Sequence, residues 1–156
     1  MSTDYGDLGD LEDLYQQTIV DHSRSPRNCR RLDDATGTCE GFNPFCGDRV
    51  KVFVRMEGDT LADVTFTGRG CAICTASASM MTEALKSRSR AGAEELFERF
   101  HTMLTADNGS DAEALDKLVV FEGVRRFPIR VKCATLPWHS MRSAMTGDGS
   151  DKFSTE

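Results

Sequence analysis

No stretch of this chain approaches the roughly 20 consecutive apolar residues that a membrane-spanning helix needs, so no such span is expected. No basic run is present either. Without one, nothing is available to neutralise a line of phosphates, which argues against nucleic acid as the main partner. The charge balance agrees, with 19 Lys and Arg against 25 Asp and Glu and a net charge of −6. Met1 to Asp13 is acidic and lacks a positive segment followed by an apolar core, so no secretory signal is expected and the expected compartment is the cytoplasm. Hydrophobic residues make up only 39% of the 156 residues. That suits a single domain over 1–156 with a modest core, and flexible tails at 1–10 and 146–156.

Cysteine is what the chain does have, with 6 residues. In a reducing compartment that number points to metal or sulfur chemistry more than to disulfides. Three of the six stand in distinctive settings. Cys46 lies in Asn43-Pro44-Phe45-Cys46-Gly47-Asp48, where Cys46 and Asp48, two residues apart in an extended segment, point to the same side. Cys71 follows Gly68 and Gly70 and precedes a predicted helix, whose N-terminal dipole lowers a thiol pKa. Cys133 follows Arg130 and Lys132, cations expected to favour its thiolate, and on a helix Arg130 shares its face. With Asp48 these make three thiolates and one carboxylate, a set that tetrahedral zinc accepts.

Each residue also has an ordinary reading. Cys46 could be a loop cysteine beside a surface Asp, and Cys71 and Cys133 could be small core residues. Cys74 completes Cys71-x-x-Cys74, which suits half a zinc knuckle, a redox pair or a packing residue. Cys29 and Cys39 read as bystanders. His22 is expected to pair with the carbonyls ending the first helix, His101 to be solvated, and His139 not to be a ligand.

The coarse elements follow from periodicity. Leu11, Leu14, Tyr15, Ile19 and Val20 predict a helix over about 11–22. Residues 29–47 are turn-rich. Val50, Val52 and Val54, then Gly58-Asp59, then Leu61, Val64 and Phe66 predict a hairpin over about 48–57 and 60–67. Helices are expected at about 73–87 and 93–104, a polar loop at 106–111 and a short helix through Ala114 to Val119. A break at Gly123 to Pro128 precedes a last helix to Met145, which Pro137 should kink or divide. The expected fold is α+β: a small, roughly three-stranded antiparallel sheet packed against helices on one face, with the metal site at one end.

Taken in order, these segments resemble the NifU-N/IscU family of iron–sulfur assembly proteins, and most closely its SufU branch. The resemblance rests on Leu14-Tyr15 through Asp21-His22 with Pro26-Arg27-Asn28, and on Asn43-Pro44-x-Cys46-Gly47-Asp48. It continues through Gly68-x-Gly70-Cys71-Ala72-Ile73-x-x-Ala76-Ser77-Ala78-Ser79-Met80-Met81 and Arg130-x-Lys132-Cys133-Ala134-Thr135-Leu136-x-Trp138. Lys132 stands where IscU-type members carry His, and the interval from Cys71 to Cys133 has room for the SufU-type added segment around Thr102 to Val124. Two departures stand out: Cys74 where Ser is expected, and Cys29-Arg30-Arg31 in place of small residues.

The resemblance implies a zinc site of Cys46, Asp48, Cys71 and Cys133. It also implies a zinc-dependent sulfurtransferase that takes persulfide sulfur from a SufS-type cysteine desulfurase, stimulates it, and serves downstream Suf cluster-assembly proteins. On that reading Cys46 is the sulfur acceptor, freed at the moment of transfer when a desulfurase side chain takes its place on the metal, and Arg130 assists. The alternative is a scaffold that assembles a transient [2Fe–2S] or [4Fe–4S] iron–sulfur cluster on the same cysteines. A zinc domain that only docks partners comes third.

Overall fold

In the computed structural model, residues 3–106, 115–146 and 152–154 are described, with side chains from 14 to 106 and from 115 to 146. The expected loop beyond Ala106 and the tail at 147–151 and 155–156 lie outside them. The chain runs α1 (Thr3–Arg24), β1 (Gly37–Asn43), β2 (Asp48–Glu57), β3 (Thr60–Arg69), α2 (Ala72–Leu85) and α3 (Arg90–Thr105). A 3-10 segment (Asp116–Arg126), α4 (Pro128–Thr146) and β4 (Lys152–Ser154) follow. Among the described residues, no helix is long and apolar enough to cross a membrane.

The sheet order is β3-β2-β1-β4. The three long strands are antiparallel, as expected, and short β4 adds to the β1 edge in parallel, opposite Glu40 to Phe42. The predicted β2–β3 hairpin is present, with Val52 opposite Phe66 and Val54 opposite Val64. These four side chains are buried in the core.

α4 packs on β1 and β2, α2 packs on β3 and α4, and α1 lies against α2. The contact of β1 with α4 is close because β1 is small there. A Cβ on Gly41 would overlap Ser140 Oγ and come within 2.9 Å of Leu136 Cδ1, and one on Gly37 would overlap the Ala144 carbonyl. The far side of α4 meets α3 through stacked rings, Trp138 on Phe100 at 4.6 Å between centroids. The Trp138 indole N–H donates to Ser77 Oγ at 3.1 Å, so this fully buried ring is also satisfied.

Several boundaries differ from the sequence-based expectation. α1 begins at Thr3 rather than near residue 11, and Lys152–Ser154 pairs with β1 where a tail was expected. The turn-rich stretch contains β1. The 3-10 segment runs through Gly123, where a break was expected. α4 continues through Pro137 undivided. Pro137 is buried in the packed middle of the helix, so tertiary contacts there outweigh the lost backbone bond.

Candidate metal centre

Three chain reversals meet at one end of the sheet. Asn43 closes β1 opposite Asp48, which opens β2, and Pro44 to Gly47 form the turn between them. Gly47 has φ +71 and its N–H donates to the Asn43 carbonyl at 2.8 Å, so a left-handed residue closes the turn. Cys46 sits on this turn, half-buried. Pairing of β2 with β3 then brings the end of β3 beside Asp48. Gly68 allows the crossing, since a Cβ there would overlap the Arg49 carbonyl. Directly after β3, Cys71 caps α2: its Sγ accepts from the Cys74 N–H at 3.5 Å. The third element is the first half of α4, which turns Cys133 inward, fully buried.

Cys46, Asp48 and Cys133 each offer a ligand atom within 4.8 Å of the others. Cys133 Sγ donates to Cys46 Sγ at 3.2 Å. Asp48 is 0% exposed. Its Oδ1 accepts from the Cys71 N–H at 2.8 Å, and its Oδ2 from Asn43 Nδ2 at 3.4 Å. Both partners are neutral amides, so no cation is among these contacts of the buried carboxyl group, which lies beside the Cys46 and Cys133 thiols. A buried carboxylate is costly unless a positive charge offsets it. Thiolates on a tetrahedral zinc lie about 3.8 Å apart, given Zn–S near 2.3 Å. The Cys46 and Cys133 sulfurs, 3.2 Å apart, stand closer than that, and the soft donor set of Cys46, Asp48 and Cys133 suits zinc, so these residues fit the ion.

Proton placement in the cluster is uneven. Hydrogen bonding with Cys133 lowers the Cys71 thiol to about 6, helped by the backbone N–H groups of Cys74 and Ile73 and opposed by burial and Asp48. Cys133 is pushed the other way by the same hydrogen bond to Cys71, by burial, and by Asp48 and Cys46. The cluster therefore favours a thiolate on Cys71 over one on Cys133. This differs from the expectation that flanking cations would ionise Cys133. The Lys132 ammonium instead lies over the Phe45 ring, 4.6 Å from its centroid.

Of the expected site residues, Cys46, Asp48 and Cys133 are brought together, with Cys71 joined to them through Cys133 and through its own N–H on Asp48. Cys74 packs beside the set, buried, its thiol pushed up chiefly by burial. Arg130 is exposed and lines a groove of about 950 Å³ with Tyr15, Ile19, Ile73, Val124 and Phe127. Cys39 is a core residue of β1 and Cys29 is exposed. His22 does not pair with helix-end carbonyls: its Nδ1 lies 2.7 Å from Ser79 Oγ on α2. His101 is not fully solvated, since it is half-buried edge-on against Phe97 at 6.0 Å. The residue whose role the sequence did not disclose is Asn43. Its buried Nδ2 reaches both Asp48 and Cys133 Sγ (3.5 Å), and its Oδ1 accepts from the Phe45 N–H at 3.2 Å. The Asn-Pro pair announces such a turn, but not the inward reach of the amide.

The family described as NifU-like N terminal domain matches residues 14–134. The zinc-dependent sulfurtransferase SufU of Bacillus subtilis is 38% identical over 135 residues, covering 86% of this chain and 91% of that protein. The iron–sulfur cluster assembly scaffold protein IscU of Streptococcus pyogenes is 33% identical over 149 residues, covering 96% and 93%. A crystal structure from Fervidobacterium islandicum, described as an iron–sulfur cluster assembly scaffold protein for the SUF system, superposes with a TM-score of 0.78. It has 32% identity and covers 83% of this chain and 94% of that one.

Proposed function

The chain belongs to the family of NifU-like N terminal domains, and we propose that it serves iron–sulfur cluster assembly as a zinc-dependent sulfurtransferase, taking persulfide sulfur from a SufS-type cysteine desulfurase. The observation that carries this reading is the convergence of the Cys46 and Cys133 thiols on the buried Asp48 carboxylate, with the Cys71 N–H on that carboxylate and Cys46 on an open turn. Likeness to the B. subtilis sulfurtransferase over most of both chains supports it.

Cys46, Asp48, Cys71 and Cys133 are the residues that would hold zinc, which would keep the thiols deprotonated and shield them from oxidation. The chain's own part begins with Cys46. Its thiolate attacks the outer sulfur of the desulfurase persulfide. A new S–S bond forms on Cys46, the old one breaks, and the desulfurase cysteine leaves as thiolate. The turn at Pro44 to Gly47 presents Cys46 outward, while Cys133 and Asp48 stay buried beneath it. Arg130, at the groove beside Ile73, supplies a cation on the approach side for the anionic persulfide.

The test is metal content after purification without added metal, paired with desulfurase turnover with and without the protein. One zinc per chain, a large rise in turnover and loss of that rise in Cys46→Ala are expected. Iron with acid-labile sulfide and little change in turnover would replace this reading with the scaffold.

A further inference from the structure

Among the thiols that the proposed donor set leaves over, Cys74 has a specific placement. Cys71 is the N-cap of α2 and Cys74 the third residue of that helix. The Cys74 N–H donates to Cys71 Sγ at 3.5 Å, which holds the first sulfur over the first turn. The Cys74 side chain lies against Gly70, the residue before Cys71. Its Cβ and Sγ lie 3.0 and 3.1 Å from where a Cβ on Gly70 would stand, so Gly70 leaves the room that the sulfur occupies. Residues three apart on a helix share a face, with Cα atoms within the range that a disulfide spans. Cys71 is half-buried and open to solvent, whereas Cys74 is 2% exposed. One thiol can meet a reagent and the other can attack only its neighbour.

We propose that Cys71 and Cys74 form a thiol–disulfide exchange site whose substrate is a low-molecular-weight disulfide. The Cys71 thiolate attacks one sulfur of the disulfide, forming a mixed disulfide and releasing the first small thiolate. The Cys74 thiol then attacks the Cys71 sulfur, its proton passing to the departing small thiolate. The Cys71–Cys74 bond forms and the second small thiolate leaves. Two protein thiols are oxidised by two electrons, and the small disulfide is reduced to two thiols. Closure withdraws Cys71 from the donors around Asp48, so oxidation and metal release are one event. That last consequence rests on the four-residue donor set proposed above. The exchange chemistry does not, and it is read without a desulfurase.

Cys46 and Cys133 are the rival pair, because their sulfurs are 3.2 Å apart. They join a turn to a different helix, however, and both belong to the donor set, whereas Cys74 is the resolving thiol that bound metal would leave free. The experiment treats the purified chain with oxidised glutathione, blocks remaining thiols by alkylation and maps the products by mass spectrometry. The expected main product of the natural chain is the single peptide carrying Cys71 and Cys74, two hydrogens lighter, with little glutathione adduct. Cys74→Ser and Cys74→Ala should instead accumulate the Cys71–glutathione adduct about tenfold over the natural chain, since the neighbouring thiol that resolves it is gone. A Cys46–Cys133 disulfide with Cys74 still alkylated, or equal adduct levels in all three proteins, overturns the proposal. Zinc release into a chromophoric chelator, followed in parallel, tests the link to the donor set separately. Disulfide formation without release leaves the exchange site standing and removes Cys71 from the ligands.

Discussion

The Lys132 ammonium lies over the Phe45 ring, 4.6 Å from its centroid. Each of the two residues immediately precedes a cysteine of the centre, so the contact ties the Cys46 turn to the Cys133 helix from outside. Phe45 is 62% exposed, and an exposed cation–π pair contributes about 0.5–1 kcal/mol. Removing it in Lys132→Ala should weaken zinc binding by about two- to fivefold. Lys132→Arg, which keeps the contact, should bind as the natural chain does. Competition against a chromophoric chelator reads both, and equal affinity in Lys132→Ala would show that the turn is held from within.

Asn43 is the inner counterpart of that tie. Its amide spans Asp48, Cys133 and the Phe45 N–H in a site with no solvent access. Asn43→Ala leaves buried polar groups unpaired, each a cost of about 1–3 kcal/mol. The urea midpoint of the metal-free chain should fall accordingly, with an unchanged slope. Zinc should recover part of the loss, because the cation offsets the buried carboxylate that Asn43 otherwise holds.

Much of this arrangement was legible in the residues. The β2–β3 hairpin follows from valines alternating about Gly58-Asp59, and glycine, proline and charge around cysteine single out the candidate residues Cys46, Asp48, Cys71 and Cys133. Strand β1 was not legible, for a physical reason. Its residues facing α4 are Gly37, Cys39 and Gly41, kept small by the helix that lies on them, so no apolar alternation survives. Partner helices decide such strands, and no local pattern reports the partner. The same holds for Pro137, where burial in α4 overrides a breaker. Asn43 was read as a turn residue, because only the folded hairpin turns its amide towards Cys133.

The helix-on-glycine contact gives a direct test. In Gly41→Ala the added methyl meets Ser140 Oγ and Leu136 Cδ1, both on buried residues that cannot swing into solvent. Overpacking of this kind costs about 1–3 kcal/mol. For a chain of this length that is a fall in Tm of about 2–4 °C per kcal/mol, readable by the unfolding of the sole tryptophan, Trp138. An unchanged Tm would mean that β1 and α4 sit further apart than described.

His139 sets a pH dependence whose sign can be worked out. Burial against Phe97, with Arg142 and His101 nearby, lowers its pKa from 6.5 to about 4. Between those values the unfolded chain binds a proton that the folded chain refuses. Stability therefore rises with pH across this window and is lost as pH falls from 6.5 towards 4. Cys71, lowered from 9.0 to about 6, adds a loss of the same sign in a higher window, as pH falls from 9.0 towards 6, so its share is largely lost before that of His139. The two are separable by variant. His139→Gln cannot take up the proton, so its Tm between pH 7 and 4.5 should decline less steeply than that of the natural chain, while the contribution of Cys71 persists in both. Parallel Tm curves for the two proteins would show that the imidazole is protonated equally well in the folded and unfolded chain, and so that its place against Phe97 does not exclude the charged form.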